Sequence, residues 1–396
     1  MDVDFDDASK REAKPQPAPV SGSKSSALGT LSNLLGRAGI RVNGDAPWDI
    51  QIKDPRAATR ILGQGSLGLG ESYMDGWWDC AALDQFFDRI FRANLTEHVT
   101  AKDVLQTLRA RLLNLQNSRR SWQVGKEHYD VGNDLFSAML DRRMTYSCGY
   151  WKDAGNLDDA QSAKLDLVCR KLGLQPGMRL LDVGCGWGSL MQFAAENYGV
   201  SCVGLTISRE QAEFAQRTLQ GLPVEFRLAD YRSFNVEGLE KFDRIASIGM
   251  FEHVGHKNYP AFFDACRRSL SDDGLFLLHT IGRKRTRNMI DPWFDRYIFP
   301  NGELPSLAEI STSVDGRFVI EDVHNFGADY DRTLLAWHAR FEAAWPQFAS
   351  KYGERFYRMW RYYLLCMAGC FRARQIQLWQ TVLSPQGVAG GYQRHS

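Results

Sequence analysis

The sequence predicts an α/β protein, a doubly wound sheet with an N-terminal helical subdomain. Three observations predict it. From about residue 157, short continuous apolar runs alternate with amphipathic stretches, the pattern of parallel strands covered on both faces by helices. A glycine-rich turn, Gly184-Cys185-Gly186-Trp187-Gly188, stands between the first of these strands and the helix after it. Upstream, residues 27–120 space their apolar side chains as helices do.

Residues 1–26 are rich in Asp, Lys, Pro and Ser and have no apolar period, which predicts a disordered tail. Helical patterns follow at 28–39, 55–78 and 83–95. Phe86, Phe87, Ile90 and Phe91 form one apolar stripe, and Leu105, Leu108, Leu112, Leu113 and Leu115 another. This subdomain ends near 117–120, and residues 121–396 make the second unit. There, Asn156 or Asp158 caps a helix running to Leu172, and Pro176-Gly177 turns the chain into a strand at 179–184. A helix from Ser189 to Tyr198 stops at Gly199, and a strand follows at 200–206. Ser208 and Gln211 fit a capping box for a helix to about Gln220. Further strands are expected at 224–228, 242–250 and 274–281, with a helix beginning near Pro260 between the last two. Segments 318–326 and 376–383 complete the sheet, separated by aromatic-rich helices at 331–348 and 354–372.

Composition narrows the functional classes. The chain has 396 residues, 48 of them basic and 47 acidic, so no global charge recruits nucleic acid and no such partner is expected. No apolar run reaches the roughly 20 residues that span a bilayer. The start lacks a basic-then-apolar signal pattern, which predicts a cytoplasmic protein. The eight cysteines are scattered, with no Cys-x-x-Cys pair and no His at zinc spacing, so no metal site is expected. Aromatics, at 12%, point to large apolar or stacking surfaces.

The glycine turn carries the cofactor signal. Its spacing is Gly-x-Gly-x-Gly, and the third glycine comes too early for the dinucleotide fingerprint. Asp182 stands two residues before Gly184. The string Asp182-x-Gly184-x-Gly186-x-Gly188 resembles motif I of S-adenosylmethionine-dependent methyltransferases. That resemblance implies a class I, Rossmann-like methyltransferase fold that uses S-adenosylmethionine and leaves S-adenosylhomocysteine. Thr206 stands where most such enzymes carry an acid for the ribose hydroxyls. Gln211 either joins it or serves only in the helix cap. Asp230 occupies the position that accepts the adenine amino group, with Tyr231 against the ring; alternatively Asp230 is a strand-end loop acid.

Five further segments are less generic: Gly125 to Phe136 (GKEHYDVGNDLF), Met144 to Trp151 (MTYSCGYW), Gly249 to Gly255 (GMFEHVG), Leu278 to Gly282 (LHTIG) and Asn325 to Tyr330 (NFGADY). In this order they resemble the cyclopropane-fatty-acyl-phospholipid and mycolic acid cyclopropane synthases, over about residues 37–383. The resemblance implies transfer of a methylene from S-adenosylmethionine to the cis double bond of an unsaturated phospholipid acyl chain, through a carbocation. It also implies a bound bicarbonate as general base, held by Cys148, Glu252, His279, Tyr330 and the backbone of Ile281. Tyr146 and Ser147 match positions that contact the cofactor. Some relatives carry a Cys just before Ala-Gly-x-Phe-Arg; here that position is Met367, so Cys366 and Cys370 are not counted as catalytic.

The substrate lies in a bilayer, which implies peripheral association with the inner face of the cell membrane. Arg283, Lys284, Arg285 and Arg287, followed by an aromatic loop at 292–300, are candidates to meet an anionic headgroup. The helical subdomain would serve lipid access and membrane docking. Relatives imply a homodimer. Three other readings stay open: an enzyme making methyl-branched or methylene acyl chains, a heteroatom methyltransferase, and a non-catalytic lipid-binding protein.

Overall fold

The computed structural model describes residues 27–95, 132–232, 241–286 and 290–395. The predicted tail at 1–26, the leucine stripe at 105–115, the subdomain end near 117–120, residues 125–131 of the first motif and Arg287 lie outside the described residues.

The first described helix is α1 (Ala27–Gly36), which buries Leu31 and Leu35. The two-residue strand β1 (Gln51–Ile52) precedes α2 (Arg56–Met74), and β2 (Trp78–Asp79) returns antiparallel to β1. Helix α2 is broken at Gly65, whose φ of 58° and ψ of −132° suit a residue without a Cβ. Helix α3 (Leu83–Arg92) buries Leu83, Phe86, Phe87 and Ile90, the face its spacing predicts. After α4 (Asn133–Met139) comes α5 (Leu157–Lys171), whose cap Asn156 accepts the Asp159 N–H.

The sheet then begins with β3 (Arg179–Val183), followed by α6 (Ser189–Tyr198), β4 (Ser201–Thr206), α7 (Arg209–Thr218) and β5 (Val224–Leu228). Next are β6 (Phe242–Ile248), α8 (Tyr259–Ser269) and β7 (Leu270–Arg283). The chain closes with α9 (Pro292–Tyr297), α10 (Leu307–Val314), β8 (Val319–Asn325), α11 (Ala328–Ala344), α12 (Ala349–Arg372) and β9 (Ile376–Ser384).

The seven strands from β3 to β9 form one sheet in the order β5-β4-β3-β6-β7-β9-β8. The first five in that order are parallel, whereas β9 runs antiparallel to both its neighbours. The sheet is therefore mixed, where the strand pattern had predicted a parallel one. Two helices in succession, α11 and α12, return the chain to the edge it left at the end of β8, so β9 enters in the opposite direction.

Three apolar clusters cover this sheet and its flank. One face packs Leu181 and Phe276 against Phe262 and Phe263 of α8. The other packs Leu180 and Leu277 against Leu165 and Val168 of α5 and Met191 of α6. The third joins the N-terminal helices to the C-terminal pair, with Phe86 and Phe87 in one cluster with Trp337, Trp360 and Tyr362. Arg358 of α12 reinforces that seam by donating to the carbonyls of Tyr73 and Trp78 at 2.5 and 2.8 Å. The helices at 27–95 thus share a core with α11 and α12.

Candidate active site

The C-terminal ends of β3 to β6 meet at a small cavity of about 170 Å³. The glycine turn forms one wall. Gly184, Gly186 and Gly188 have φ of 86°, 54° and 83°, a left-handed run that L side chains resist. A Cβ on Gly184 would lie 2.6 Å from the Cβ of Met250, so the turn also needs glycine for space.

Asp182, at the end of β3, is 3% exposed, and burial pushes its pKa up to about 7 against the opposing pull of the Lys164 ammonium. Lys164 of α5 is itself 1% exposed; burial lowers its pKa to about 8, and it donates to Ser147 Oγ at 2.9 Å. Sequence reasoning missed Lys164. The signal was a lysine on the buried stripe of α5, four residues after Ala160 and four before Val168.

Thr206 Oγ1 donates to Gln211 Oε1 at 3.2 Å and accepts the Ser208 N–H at 3.1 Å. Ser208 Oγ accepts the Gln211 N–H at 3.3 Å, so Ser208 caps α7. The reciprocal half of the expected capping box does not form, because Thr206 has taken the Ser208 N–H. The Gln211 side chain turns to Thr206 instead, which leaves its buried Nε2 without a hydrogen-bond partner on the cavity wall. Tyr231 Oη, on the same wall, is buried and unpartnered too. Such orphaned polar atoms mark a place for a polar ligand. Asp230 lines the cavity, but Arg232 grips its carboxylate at 2.8 and 2.5 Å.

A second cavity, of about 1200 Å³, lies against the first. Tyr146, Ser147, Gly249 and His253 belong to both walls. Its inner end carries Glu252, His279, Ile281 and Tyr330, and its outer walls include Leu31, Leu35, Ile61, Phe87 and Ile90. It exceeds the roughly 300–1,000 Å³ of ordinary small-molecule pockets.

Glu252 sits in a 3₁₀ turn (Phe251–His253) after β6. Its Oε1 accepts the Ile281 N–H at 2.6 Å, and its buried Oε2 has no hydrogen-bond partner. Burial pushes its pKa up to about 7. The backbone of Ile281, expected to help hold bicarbonate, thus has its N–H engaged by Glu252. His279, on β7, is 1% exposed; burial, with the nearby Lys164 and Lys171 ammonium groups, drives its pKa well below the ordinary imidazole range. Tyr330, in the first turn of α11, stacks on Phe371 with ring centroids 4.5 Å apart, and burial holds its hydroxyl protonated.

Cys148 is buried behind this group and lines neither cavity. Its Sγ donates to the Gly149 carbonyl at 3.2 Å and lies 3.9 Å from Thr333 Oγ1, and burial raises its pKa, leaving a neutral thiol. Tyr146 Oη is 2.8 Å from Tyr363 Oη.

Arg283, Lys284 and Arg285 line the large cavity. The aromatic stretch after them, expected as a loop, contains helix α9. Asp291 caps it through the N–H groups of Trp293 and Phe294, and Pro292 takes the first helical position. Trp293 is fully buried, with Nε1 donating to Met74 Sδ at 3.3 Å. Among the described residues no helix is long and apolar enough to cross a membrane.

A family model described as mycolic acid cyclopropane synthetase matches residues 116–381. The chain is 58% identical over 362 residues to the cyclopropane-fatty-acyl-phospholipid synthase of Escherichia coli (strain K12), an alignment covering 91% of this chain and 94% of that one. It is 39% identical over 270 residues to cyclopropane mycolic acid synthase 1 of Mycobacterium tuberculosis (strain ATCC 25618 / H37Rv), covering 63% of this chain and 93% of the relative. Among solved structures, a mycolic acid cyclopropane synthase complexed with SAH and CTAB superposes with a TM-score of 0.61 at 37% identity, covering 66% of this chain and 97% of that one.

Proposed function

The chain belongs to the mycolic acid cyclopropane synthetase family of S-adenosylmethionine-dependent enzymes, and from that premise we propose that it is a cyclopropane-fatty-acyl-phospholipid synthase. Its reaction would place a methylene across the cis double bond of an unsaturated phospholipid acyl chain. The observation that carries this reading is the wall common to the two cavities, since a small cavity bearing the unpartnered Gln211 Nε2 and Tyr231 Oη there abuts a large, mostly apolar one.

The residues of the small cavity suit S-adenosylmethionine. Gln211 Nε2 and Tyr231 Oη are polar atoms awaiting a partner, the glycine turn admits a ligand close to the backbone, and Asp182 offers a carboxylate to a cation. Bound there, S-adenosylmethionine supplies an electrophilic methyl group on a sulfonium. An alkene is a weak nucleophile, so the chain must hold the double bond against that methyl at the wall of Tyr146 and Ser147. Attack would leave a carbocation on the acyl chain. Aromatic faces at this end, Tyr330 and Tyr363 among them, would stabilise the charge and exclude water.

One hydrogen of the transferred carbon must then leave as a proton. Glu252, His279 and Tyr330, which line the same cavity, would hold a bicarbonate where that proton is released, with Cys148 a neutral thiol behind them. Bicarbonate there would act as the proton acceptor. Glu252, with its pKa near 7, suits a carboxyl that shares a proton with an acidic anion. Arg283, Lys284 and Arg285 would meet an anionic headgroup at the membrane surface.

The test is to incubate the purified protein with unsaturated phospholipid vesicles and trideuteriomethyl S-adenosylmethionine, and to analyse the acyl chains by mass spectrometry and proton NMR. Ring closure retains two deuteriums and loses one, and an unlabelled product shows high-field ring protons. A product with three deuteriums, or unaltered acyl chains, refutes the reading.

A further inference from the structure

The antiparallel strand β9 brings an unexpected side chain to His279. In the register of β7 with β9, His279 stands directly opposite Gln380; in the register of β8 with β9, Gln380 stands opposite His324. Side chains directly opposite on adjacent strands share a face, so three polar groups form a row across the sheet. His279 is 1% exposed and Gln380 is fully buried. Gln380 Nε2 lies 3.2 Å from His279 Nδ1. Beyond the row, His324 Nδ1 is 3.0 Å from Lys171 Nζ, and Lys171 is 3.8 Å from Asp322.

An amide nitrogen can only donate. In this side-chain orientation, which leaves the buried Gln380 Oε1 without a partner, Nδ1 is the acceptor, and the single hydrogen of a neutral imidazole is then on Nε2. His279 lines the large cavity, and Nε2 is the ring nitrogen left for it. The ring also lies edge-on to Phe326, with centroids 5.8 Å apart. We infer that Gln380 is a positioning residue that locks His279 in its Nε2–H tautomer, so that the ring presents a hydrogen-bond donor to the reacting centre. This rests on the proposed role of His279, whereas the tautomer itself can be tested separately.

An amide suits the position better than an acid would. A carboxylate beside Nδ1 would demand a hydrogen there and favour the imidazolium, reversing the polarity of the ring. The charged and titratable groups around His279 are Lys164 and Lys171 of α5, with Glu252 and Tyr330 on the same cavity wall. Both lysines oppose a second positive charge on the ring.

The experiment uses the full chain with ¹⁵N-labelled histidine side chains, and identifies the His279 resonances by their loss in His279→Ala. In the parent protein we expect a protonated Nε2 and an unprotonated Nδ1 that do not titrate across the neutral range. In Gln380→Glu, the hydrogen should appear on Nδ1 and the ring should titrate at higher pH. Turnover should fall at least tenfold, with KM for vesicles unchanged and the acid limb of the pH–rate profile displaced upward. Gln380→Leu, which keeps the bulk without the donor, should lose the single tautomer. A hydrogen on Nδ1 in the parent, or a Gln380→Leu protein with the parental spectrum and kcat, overturns the inference. Should the labelled-cofactor experiment fail while the tautomer is as expected, the proposed reaction falls and the positioning stands.

Discussion

Glu252→Gln should make the protein more stable and far less active. Burial moves this carboxyl from an ordinary 4.5 to about 7, so its ionised form is disfavoured in the folded state. The folded protein binds the proton more tightly than the unfolded chain, so stability is lost as pH rises from 4.5 to 7 and stays reduced above that. At 1.36 kcal/mol per pH unit, the penalty at pH 8 is about 3 kcal/mol. Glutamine fills the same volume, and its carbonyl can accept the Ile281 N–H that Oε1 accepts now at 2.6 Å. Its neutral amide escapes the penalty. With an unfolding entropy of about 2.1 cal/mol/K per residue over 396 residues, the gain is roughly 4 °C in Tm at pH 8. It should shrink below about 0.5 kcal/mol at pH 4.5, where the native carboxyl is already neutral and half of the unfolded-state carboxyls are. Loss of a group serving proton removal should lower turnover by about 10²–10⁴. The assay is thermal unfolding of both proteins at pH 4.5 and 8 in bicarbonate-depleted buffer, beside product formation from vesicles. A variant less stable than the parent at pH 8, or one with parental turnover, refutes the reasoning.

Gly184→Ala should abolish cofactor binding in calorimetry while the fold persists by circular dichroism, because its Cβ would stand 2.6 Å from that of Met250 at a φ of 86°. Affinity for S-adenosylmethionine should rise several-fold from pH 6 to pH 8.5, as Asp182 ionises near 7 and Lys164 loses its proton near 8. Affinity for S-adenosylhomocysteine, which lacks the sulfonium charge, should vary less, and equal pH dependence for both would discount Asp182 as the cation's partner. Charge reversal at Arg283 and Arg285 should weaken cosedimentation with anionic vesicles and spare cofactor affinity; undiminished binding would remove this rim as the headgroup contact.

Local chemistry was legible wherever one or two residues decide an element. Asn156 caps α5, Gly199 ends α6 and Ser208 caps α7 as their residue types predict. The glycine turn falls where the strand-to-helix pattern puts it. The direction of β9 was not legible, because apolar strands buried on both faces read alike in either orientation. Helix α9 was missed although Asp291-Pro292 announces it, since six residues are too few for a helical period to show. Within the site, the positions of Glu252, His279 and Tyr330 at one cavity could be expected from motifs far apart in sequence. The grip of Arg232 on Asp230 and the pairing of Gln380 with His279 could not, because both depend on three-dimensional placement.

The two cavities differ in where their walls come from. The small one is built largely from the turns that follow β3, β4, β5 and β6, the crevice outside the strand ends where open α/β sheets commonly bind ligands. The large one draws on β7, α11, α12 and β9, and on helices α1 to α3. Those last helices precede residue 116, where the family match begins. The sheet alone would therefore hold the small cavity but leave the large one without its outer walls. The core that α3 shares with α12, and the bonds from Arg358 to Tyr73 and Trp78, close that space. The geometry of the small cavity thus follows from the strand order, whereas the volume of the large one follows from how the N-terminal helices seat on α12.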